Sequence, residues 1–225
     1  MPMVAVIIAA AGEGRRFGQP KQFALLAGRP VVHWAIEAFA LHPLVNEIIV
    51  VFPDETQAET IKLKWPKVKA VVKGGKERQD SVARGLAAVS PEGEIILIHD
   101  GVRPLVKADL ITRIIEATLK EGAAVPAIPI EDTVKQIEGD RIVQTIDREK
   151  LLRVQTPQGF KRELLEAAFL QAQKDNFCGS DEASLVERIG GQIKIVIGDK
   201  FNLKITCPED LKIAEVWLNE SRYRL

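Results

Sequence analysis

A glycine-rich loop that carries three cations follows the first apolar run of the chain. Residues 10–22 read Ala-Ala-Gly-Glu-Gly-Arg-Arg-Phe-Gly-Gln-Pro-Lys-Gln and come directly after the apolar run Val4–Ala9. An apolar run bounded by glycines is typical of a buried strand. Small residues let backbone N–H groups approach an anion closely, and fixed cations neutralise its charge. The loop therefore predicts a binding site for a nucleoside triphosphate. Its small residues are Ala10, Ala11, Gly12 and Gly14, and its cations are Arg15, Arg16 and Lys21.

Two familiar phosphate-binding patterns are absent from this loop. A Walker loop needs Gly-Lys followed by Ser or Thr, and the loop has no such triplet. A dinucleotide fingerprint needs G-x-G-x-x-G, but Phe17 stands where the third glycine after Gly12 and Gly14 is expected. The glycines alone are equally typical of a tight strand-to-helix turn. A plain turn, however, does not need clustered cations that repel each other.

A second glycine pair precedes a predicted helix. The segment Gly74-Gly75-Lys76-Glu77-Arg78-Gln79-Asp80-Ser81 places paired glycines where backbone groups can face a planar base, and the Ser81 hydroxyl can hydrogen-bond. The alternative is ordinary helix capping by Asp80 or Ser81.

A carboxylate follows a later predicted strand, in the sequence Ile98-His99-Asp100-Gly101-Val102-Arg103-Pro104. Beside a triphosphate loop, Asp100 is a natural Mg²⁺ ligand. An internal ion pair between Asp100 and Arg103 is an alternative that is compatible with this role. His99 is interpreted as structural, because phosphoryl transfer needs little general-base help from the protein.

Three further polar residues, Thr133, Arg148 and Thr156, have the chemistry to bind a phosphate monoester. The alternative for them is a solvated surface. Near the C-terminus, Asn202–Thr206 alternates like a strand that presents Lys204 on one face. An exposed edge-strand lysine is the alternative there.

The elements that position these residues alternate between strand and helix. The predicted strands are apolar throughout, as in a parallel sheet covered on both faces. Ligands of such sheets bind beyond the carboxyl ends of the strands, where the polar segments fall. The sequence thus predicts an α/β fold with a doubly wound, mostly parallel sheet. The predicted strands are Val4–Ala10, Glu47–Phe52, Val68–Lys73, Glu94–His99, Ala123–Pro129 and Ile193–Gly198. The predicted helices are Val31–Leu41, Thr56–Lys64, Asp80–Val89, Ala108–Glu121, Arg162–Lys174, Asp181–Ile189 and a last one from Pro208.

A β-hairpin interrupts this alternation between about Asp132 and Thr156. The segment 133–146 alternates in polarity around a Glu-Gly-Asp turn, which is a hairpin signature. It has no place in a doubly wound core, so we expect a protruding arm. A half-apolar arm needs a partner surface, and a second copy of the chain is the simplest one. We expect residues 1–225 to form one domain with this dimerisation arm.

Composition narrows the classes of function. The chain has 225 residues, with 31 Lys plus Arg and 31 Asp plus Glu, so its formal net charge is zero. That balance argues against a general nucleic-acid binder. The two cysteines, Cys178 and Cys207, form no metal or disulfide pattern, which fits a cytoplasmic protein. No run is long enough to span a membrane, and the N-terminus does not resemble a signal peptide.

The ordered set of motifs resembles the 2-C-methyl-D-erythritol 4-phosphate cytidylyltransferase family of the non-mevalonate isoprenoid pathway. The motifs run from Val4 to the last helix, and seven in this order make a specific resemblance. They are Ala-Ala-Gly-x-Gly-x-Arg with Pro-Lys-Gln, Gly-Gly-x-x-Arg-x-x-Ser-Val, His-Asp-x-x-Arg-Pro, Asp-Thr-Val-Lys, Gln-Thr-Pro-Gln-x-Phe, Ser-Asp-Glu-Ala-Ser and Asn-x-Lys-Ile-Thr-x-Pro-Glu-Asp-Leu. Gly101-Val102 departs from the two alanines common in the family, and Ser180 from its threonine.

The resemblance implies a nucleotide-diphospho-sugar transferase-like fold, a homodimer joined by the arms, and transfer of a cytidylyl group from CTP to a sugar-alcohol phosphate with Mg²⁺. It implies catalytic roles for Arg16, Lys21 and Lys204. It implies nucleotide binding by Ala10, Ala11, Gly12, Gly14, Gly75, Lys76, Ser81 and Gly101. It implies substrate binding by Asp100, Arg103, Thr133, Arg148 and Thr156, with Asp100 at the metal. Two alternatives stay open at this point: a cytidylyltransferase for another polyol phosphate such as ribitol 5-phosphate, and a non-catalytic nucleotide-binding module.

Overall fold

A computed structural model describes residues 2–14 and 17–220 of the chain. Its strands are β1 (Met3–Ala9), β2 (Leu25–Leu26), β3 (Arg29–Pro30), β4 (Glu47–Phe52), β5 (Val68–Lys73), β6 (Gly93–Asp100), β7 (Ala123–Pro129), β8 (Val134–Glu138), β9 (Arg141–Ile146), β10 (Leu152–Val154), β11 (Gln158–Lys161) and β12 (Lys194–Ile197). Its α-helices are α1 (Val31–Ala40), α2 (Ala58–Lys64), α3 (Arg78–Ala87), α4 (Ala108–Glu121), α5 (Arg162–Lys174), α6 (Glu182–Arg188) and α7 (Pro208–Asn219). Short 3₁₀ turns cover Lys21–Phe23 and Arg148–Lys150.

The central sheet has the order β10-β7-β11-β6-β1-β4-β5, and β12 also pairs with β7. The pairs β1–β4, β1–β6, β4–β5 and β7–β12 are parallel, whereas β11 and β10 run antiparallel to their neighbours. The predicted α/β fold with a mostly parallel sheet is therefore confirmed.

Alternate residues of β1 supply both faces of the core. Val4, Val6 and Ile8 pack in a cluster with α1 and α4. Ala5 and Ile7 belong to a second cluster, which includes residues of α3 and α5. Helices thus cover the sheet on both sides, which explains why its central strands are apolar throughout.

Strand register brings the predicted polar loops to one edge of the sheet. Ala9 at the end of β1 lies opposite Asp100 on one side and Val51 on the other. Phe52 at the end of β4 lies opposite Lys73, and its carbonyl accepts a hydrogen bond from the Gly74 amide. The loops that follow β1, β5 and β6 consequently meet at the carboxyl edge.

The structure corrects two predictions about the second half of the chain. The arm ends earlier than predicted, because residues 152–154 form β10 and pair with β7 of the main sheet. The predicted strand over Asn202–Thr206 is wrong, since that segment is irregular. Asn202 and Ile205 are both fully buried although they are three residues apart, a spacing that does not place two residues on one face of a strand.

The predicted hairpin is confirmed over β8 and β9. Val134 pairs with Ile146 and Glu138 with Arg141, around a turn in which Gly139 has φ of 59°. The two strands form a sheet of their own, and nearly all of their residues are exposed. In residues 2–14 and 17–220, no helix is both long and apolar enough to cross a membrane.

Candidate active site

A cleft of about 690 Å³ opens at the carboxyl edge of the sheet. The loops after β1, β5 and β6 form its walls, and Lys204 reaches it from the segment before α7. Ten of the predicted site residues line it: Ala10, Ala11, Gly12, Gly14, Lys21, Gly75, Lys76, Ser81, Asp100 and Lys204. The sequence-based grouping of these residues into one site thus matches their positions.

The loop after β1 turns sharply at Gly14. This residue has φ of 70°, a conformation that other residues rarely adopt, and its carbonyl accepts a hydrogen bond from the Phe17 amide at 2.7 Å. A side chain at position 14 would overlap the carbonyl oxygen of Gln19. The turn leads into the 3₁₀ segment that carries Lys21. Arg16, a predicted catalytic residue, and its neighbour Arg15 lie outside the described residues.

The second glycine loop is held by the first turn of α3. The Gly75 amide donates to Ser81 Oγ at 3.0 Å, and the Ser81 hydroxyl donates to the Glu77 carbonyl at 3.1 Å. Asp80 accepts a hydrogen bond from the Glu77 amide, so the capping alternative for Asp80 is correct. Ser81 fixes the backbone of the loop, and its role in reading a base stays a prediction.

In the part of the chain that the structure describes, three cations surround the Asp100 carboxylate. Lys204 Nζ lies 2.9 Å from Oδ2, Arg103 Nε lies 3.6 Å from Oδ2, and Arg78 Nη2 lies 3.4 Å from Oδ1. Burial alone would raise the pKa of Asp100, but Lys204, Arg78 and Arg103 outweigh it and hold the pKa well below its usual range. Asp100 is therefore ionised near neutral pH, and the predicted ion pair with Arg103 is confirmed.

His99 supports this carboxylate from inside the fold. Its ring is fully buried, with Nδ1 3.1 Å from Thr156 Oγ1 and Nε2 3.1 Å from the Arg103 carbonyl. Burial lowers the pKa of His99 to about 4, so the ring is neutral. Neutral His99 then donates to the Arg103 carbonyl and accepts from Thr156, whose oxygen also accepts from the Asp100 amide at 3.1 Å. His99 thus has the structural role that we expected.

A smaller cleft of about 200 Å³ adjoins the first one. Arg78, Asp100 and Lys204 line both clefts. The smaller cleft is further lined by Arg103, Val154, Gln155, Thr156, Gln158, Ser180 and Asp181. The predicted substrate residues Arg103 and Thr156 accordingly lie on the far side of Asp100 from the glycine-rich loop.

Hydrogen bonds on either side of Lys204 hold its segment in place, although the segment is not a strand. Asn202 Nδ2 donates to the Thr156 carbonyl at 2.7 Å, and the Asn202 carbonyl accepts from Arg103 Nη1 at 2.7 Å. The Ile205 amide donates to the Val102 carbonyl at 2.9 Å. Because these bonds bracket Lys204, its ammonium faces Asp100, and the edge-strand alternative for this lysine is wrong.

Three predicted residues lie outside the lining of both clefts. Gly101 is buried behind Ala10, where a Cβ would come within 2.9 Å of the Ala10 Cβ. Thr133 and Arg148 are exposed on the arm, and Arg148 donates to the Glu131 carbonyl of its own chain. Sequence reasoning gave no role to Arg78, although a cation three residues after the glycine pair was a signal for one.

The donor atoms around Asp100 limit how a metal ion could be held. Among residues 2–14 and 17–220, no group of three or more His, Cys, Asp or Glu side chains is placed to hold a metal ion. Asp100 is a single carboxylate with cations on both oxygens. This donor set does not fit a metal held by protein ligands alone. It fits a Mg²⁺ ion that arrives with a triphosphate and takes one carboxylate, as is usual for Mg²⁺.

Comparison with protein families matches residues 4–220 to the family described as IspD: 2-C-methyl-D-erythritol 4-phosphate cytidylyltransferase. The chain belongs to this family. The enzyme of that name from Acidobacterium capsulatum is 45% identical, over 98% of this chain and 99% of its own length. The one from Syntrophus aciditrophicus is 40% identical, over 100% of this chain and 99% of its own length.

Solved structures of the cytidylyltransferase family share the fold. The chain is similar to the enzyme from Thermus thermophilus, with a TM-score of 0.80 and 36% identity, over 96% of this chain and 98% of the other. It is also similar to the 4-diphosphocytidyl-2C-methyl-D-erythritol synthase from Anaerococcus prevotii, with a TM-score of 0.85 and 31% identity, over 96% of both chains. Both matches cover nearly the whole of this chain.

Proposed function

We propose that this protein transfers a cytidylyl group from CTP to 2-C-methyl-D-erythritol 4-phosphate and releases pyrophosphate, in the non-mevalonate route to isoprenoids. Membership of the cytidylyltransferase family supports the reaction and both substrates. The single structural observation that carries the proposal is the convergence of Lys21, Asp100 and Lys204 on one cleft. A nucleotide-binding module without activity would not need these three charges together.

Charge neutralisation is the main task of such a site, because both reactants are anions. The triphosphate would lie along the loop after β1, where Lys21, with Arg16, would stabilise the leaving pyrophosphate. The substrate phosphate would enter from the smaller cleft and attack the α-phosphorus of CTP. Lys204, which lines both clefts, would face the α-phosphate at the point where the two reactants meet.

We propose Mg²⁺ as the cofactor, with Asp100 as the protein residue that would hold it. When bound, the ion would supply positive charge that stabilises the negative phosphates. Within the chain itself, Lys204 and Arg103 keep the Asp100 carboxylate ionised, as an Mg²⁺ ligand must be.

The identity of the polyol phosphate is tested by an assay with matched substrates. Incubating the protein with CTP, Mg²⁺ and either 2-C-methyl-D-erythritol 4-phosphate or ribitol 5-phosphate, and measuring pyrophosphate, compares kcat/KM directly. We expect pyrophosphate release with the erythritol phosphate and a much lower kcat/KM with ribitol 5-phosphate. Higher kcat/KM with ribitol 5-phosphate would reassign the substrate, and no release with either would contradict the proposed activity.

We propose that the protein is a homodimer whose arms join the subunits. Three apolar side chains of the arm, Ile137, Ile142 and Val143, are between 54% and 66% exposed. Apolar side chains of the neighbouring edge, on β10 and β12, are exposed as well: Leu152, Val154, Ile195 and Ile197. Together they offer a surface that a second copy would cover. The two free cysteines are the support for a further proposal, that the dimer works in the cytoplasm.

In such a dimer, Thr133 and Arg148 would reach the phosphate bound by the neighbouring subunit. Mixing an inactive Lys21→Ala chain with an inactive Arg148→Ala chain tests this arrangement. A mixed dimer has one site with both lesions and one with neither, so some activity should return. If differential tags show that subunits exchange and activity does not return, the shared site is wrong.

A further inference from the structure

Glu182 places a buried negative charge directly behind the wall of the active-site cleft. It is the first residue of α6 and is only 1% exposed. Both of its carboxylate oxygens accept from Arg78 Nη1, at 2.7 and 2.8 Å. Burial raises the pKa of Glu182 and Arg78 opposes that shift. The two short contacts to a guanidinium favour the ionised carboxylate.

The backbone that carries Glu182 is fixed to the central sheet. Gln158, on β11, donates to Asp181 Oδ2 at 2.7 Å and accepts from the Ala183 amide at 3.2 Å. Asp181 also caps the helix by accepting from the Ser184 amide at 3.0 Å. Glu182 is thus presented from a rigid turn, and the position of the guanidinium follows from the position of the carboxylate.

Arg78 contacts Asp100 much more loosely than it contacts Glu182. Its Nε and Nη2 both lie 3.4 Å from Asp100 Oδ1, beyond the 2.7–2.9 Å that is usual for a charge-assisted hydrogen bond. The Arg78 side chain is 31% exposed and lines both clefts. The side chain therefore lies at the boundary between the two clefts, with Nη1 on Glu182 and with Nε and Nη2 turned towards Asp100.

We propose that Glu182 is a positioning residue for nucleotidyl transfer, which holds the Arg78 guanidinium at the boundary between the clefts and prevents it from closing onto Asp100. This inference rests on the proposed function. Without the Glu182 charge, Arg78 moves onto Asp100 and forms a tight pair. That movement withdraws Arg78 from the substrates and removes Asp100 from any ligand.

Stability alone does not account for the pair. A buried ion pair is often no more stable than apolar side chains of the same volume, because desolvation of both charges offsets their attraction. Among the residues described, Arg78 is the one cation that pairs with Glu182, and it belongs to the lining of both clefts. The pair fixes a cation where the two substrates meet, which is a task that apolar packing does not perform.

The test compares two buried glutamates in the full-length protein. Glu182→Gln removes the charge behind Arg78. The control, Glu47→Gln, changes a 2% exposed glutamate at the start of β4, far from the cleft, whose carboxylate accepts from Ser90. For each variant, kcat and KM for both substrates come from pyrophosphate release, and CTP affinity comes from calorimetry. We expect kcat/KM to fall roughly 10- to 100-fold in Glu182→Gln, and to change less than about twofold in Glu47→Gln.

A double-mutant comparison separates positioning from a general effect on the fold. If Glu182 acts through the Arg78 cation, Glu182→Gln in an Arg78→Ala background, where no cation is left at position 78, should lower kcat/KM by less than about twofold. A loss there as large as in the wild type, or no loss in Glu182→Gln alone, would overturn the proposal. If circular dichroism shows that Glu182→Gln does not fold, Glu182→Asp takes its place. It keeps the charge but withdraws it by one methylene, so kcat/KM should still fall at least about tenfold, and wild-type kcat/KM would overturn the proposal.

The wild-type protein separates failure of this inference from failure of the proposed function. Absence of pyrophosphate release by the wild type would contradict the function. In that case CTP affinity of the same variants still tests the position of Arg78: weaker binding in Glu182→Gln than in Glu47→Gln supports it, and equal binding overturns it.

Discussion

Replacing Asp100 by Asn tests the charge balance of the site most sharply. The substitution keeps the shape of the side chain and removes the anion on which Lys204, Arg78 and Arg103 converge. Removing one partner of a buried ion pair costs about 3–5 kcal/mol, because the remaining charge is left without compensation.

The structure places Asp100→Asn at the lower end of that range. The Lys204 side chain is 41% exposed and can turn to water, and Arg78 keeps Glu182 as a partner. Among the described residues, the side chain of Arg103, which is 10% exposed, keeps only the Asn202 carbonyl as a partner. Arg103 is therefore left without a negative partner, and we expect the free energy of unfolding to fall by about 3 kcal/mol. For a chain of this length that corresponds to a decrease in Tm of about 6–12 °C.

Urea unfolding followed by circular dichroism at pH 7 measures the loss. Asp109→Asn is the matched control, because Asp109 pairs with Arg113 on the exposed face of α4. Such a surface pair contributes about 0.3–0.5 kcal/mol. A loss below about 1 kcal/mol in Asp100→Asn would refute the reasoning, since the three cations would then not depend on an ionised Asp100.

Three further predictions concern other parts of the site. Because burial lowers the pKa of His99 to about 4, the stability that depends on neutral His99 is complete above pH 6.5 and declines as pH falls towards 4, by up to about 3 kcal/mol. Urea unfolding at pH 7 and 4.5 should therefore show a smaller decline in the free energy of unfolding for His99→Gln than for the wild type. An equal decline in both would contradict this prediction. Gly14→Ala should displace the loop before Lys21, because the methyl group overlaps the Gln19 carbonyl, and calorimetry should then show weaker CTP binding. The control is Gly122→Ala, where a Cβ meets no atom within 4 Å, and this variant should bind CTP as the wild type does. The paired glycines Gly74 and Gly75 predict a strong preference for CTP over UTP, because a polar mismatch at a base edge is costly; equal kcat/KM for the two nucleotides would remove the base-reading role from this loop.

Much of the fold was predictable because its strands are buried on both faces. β4, β5, α4, β7 and α5 have the predicted bounds, and β1 and β6 differ by one residue at their ends. The strands β10 and β11 were missed. Both are short, and they pair antiparallel with strands that are distant in sequence, so no local pattern marks them.

The site was predictable where backbone geometry dictates the residue type. Position 14 requires glycine because its φ is positive, and position 74 requires glycine because it packs closely against Ala11. Both glycines stood out in the sequence. The role of Glu182 was not predictable, because its contact with Arg78 joins residues that are 104 positions apart. The strand predicted around Lys204 was wrong, because hydrogen bonds to loops, rather than a ladder, hold that segment.

The central claim is that cytidylyl transfer takes place in the cleft that Lys21, Asp100 and Lys204 share. The most direct measurement is kcat for pyrophosphate release from CTP and 2-C-methyl-D-erythritol 4-phosphate, in the wild type and in Lys21→Ala. Lys21 is expected to contact the leaving group mainly as the transition state forms, so kcat should fall about 10²- to 10³-fold, which corresponds to about 2.7–4 kcal/mol, while circular dichroism stays unchanged. A wild-type kcat in a folded Lys21→Ala protein would contradict the account.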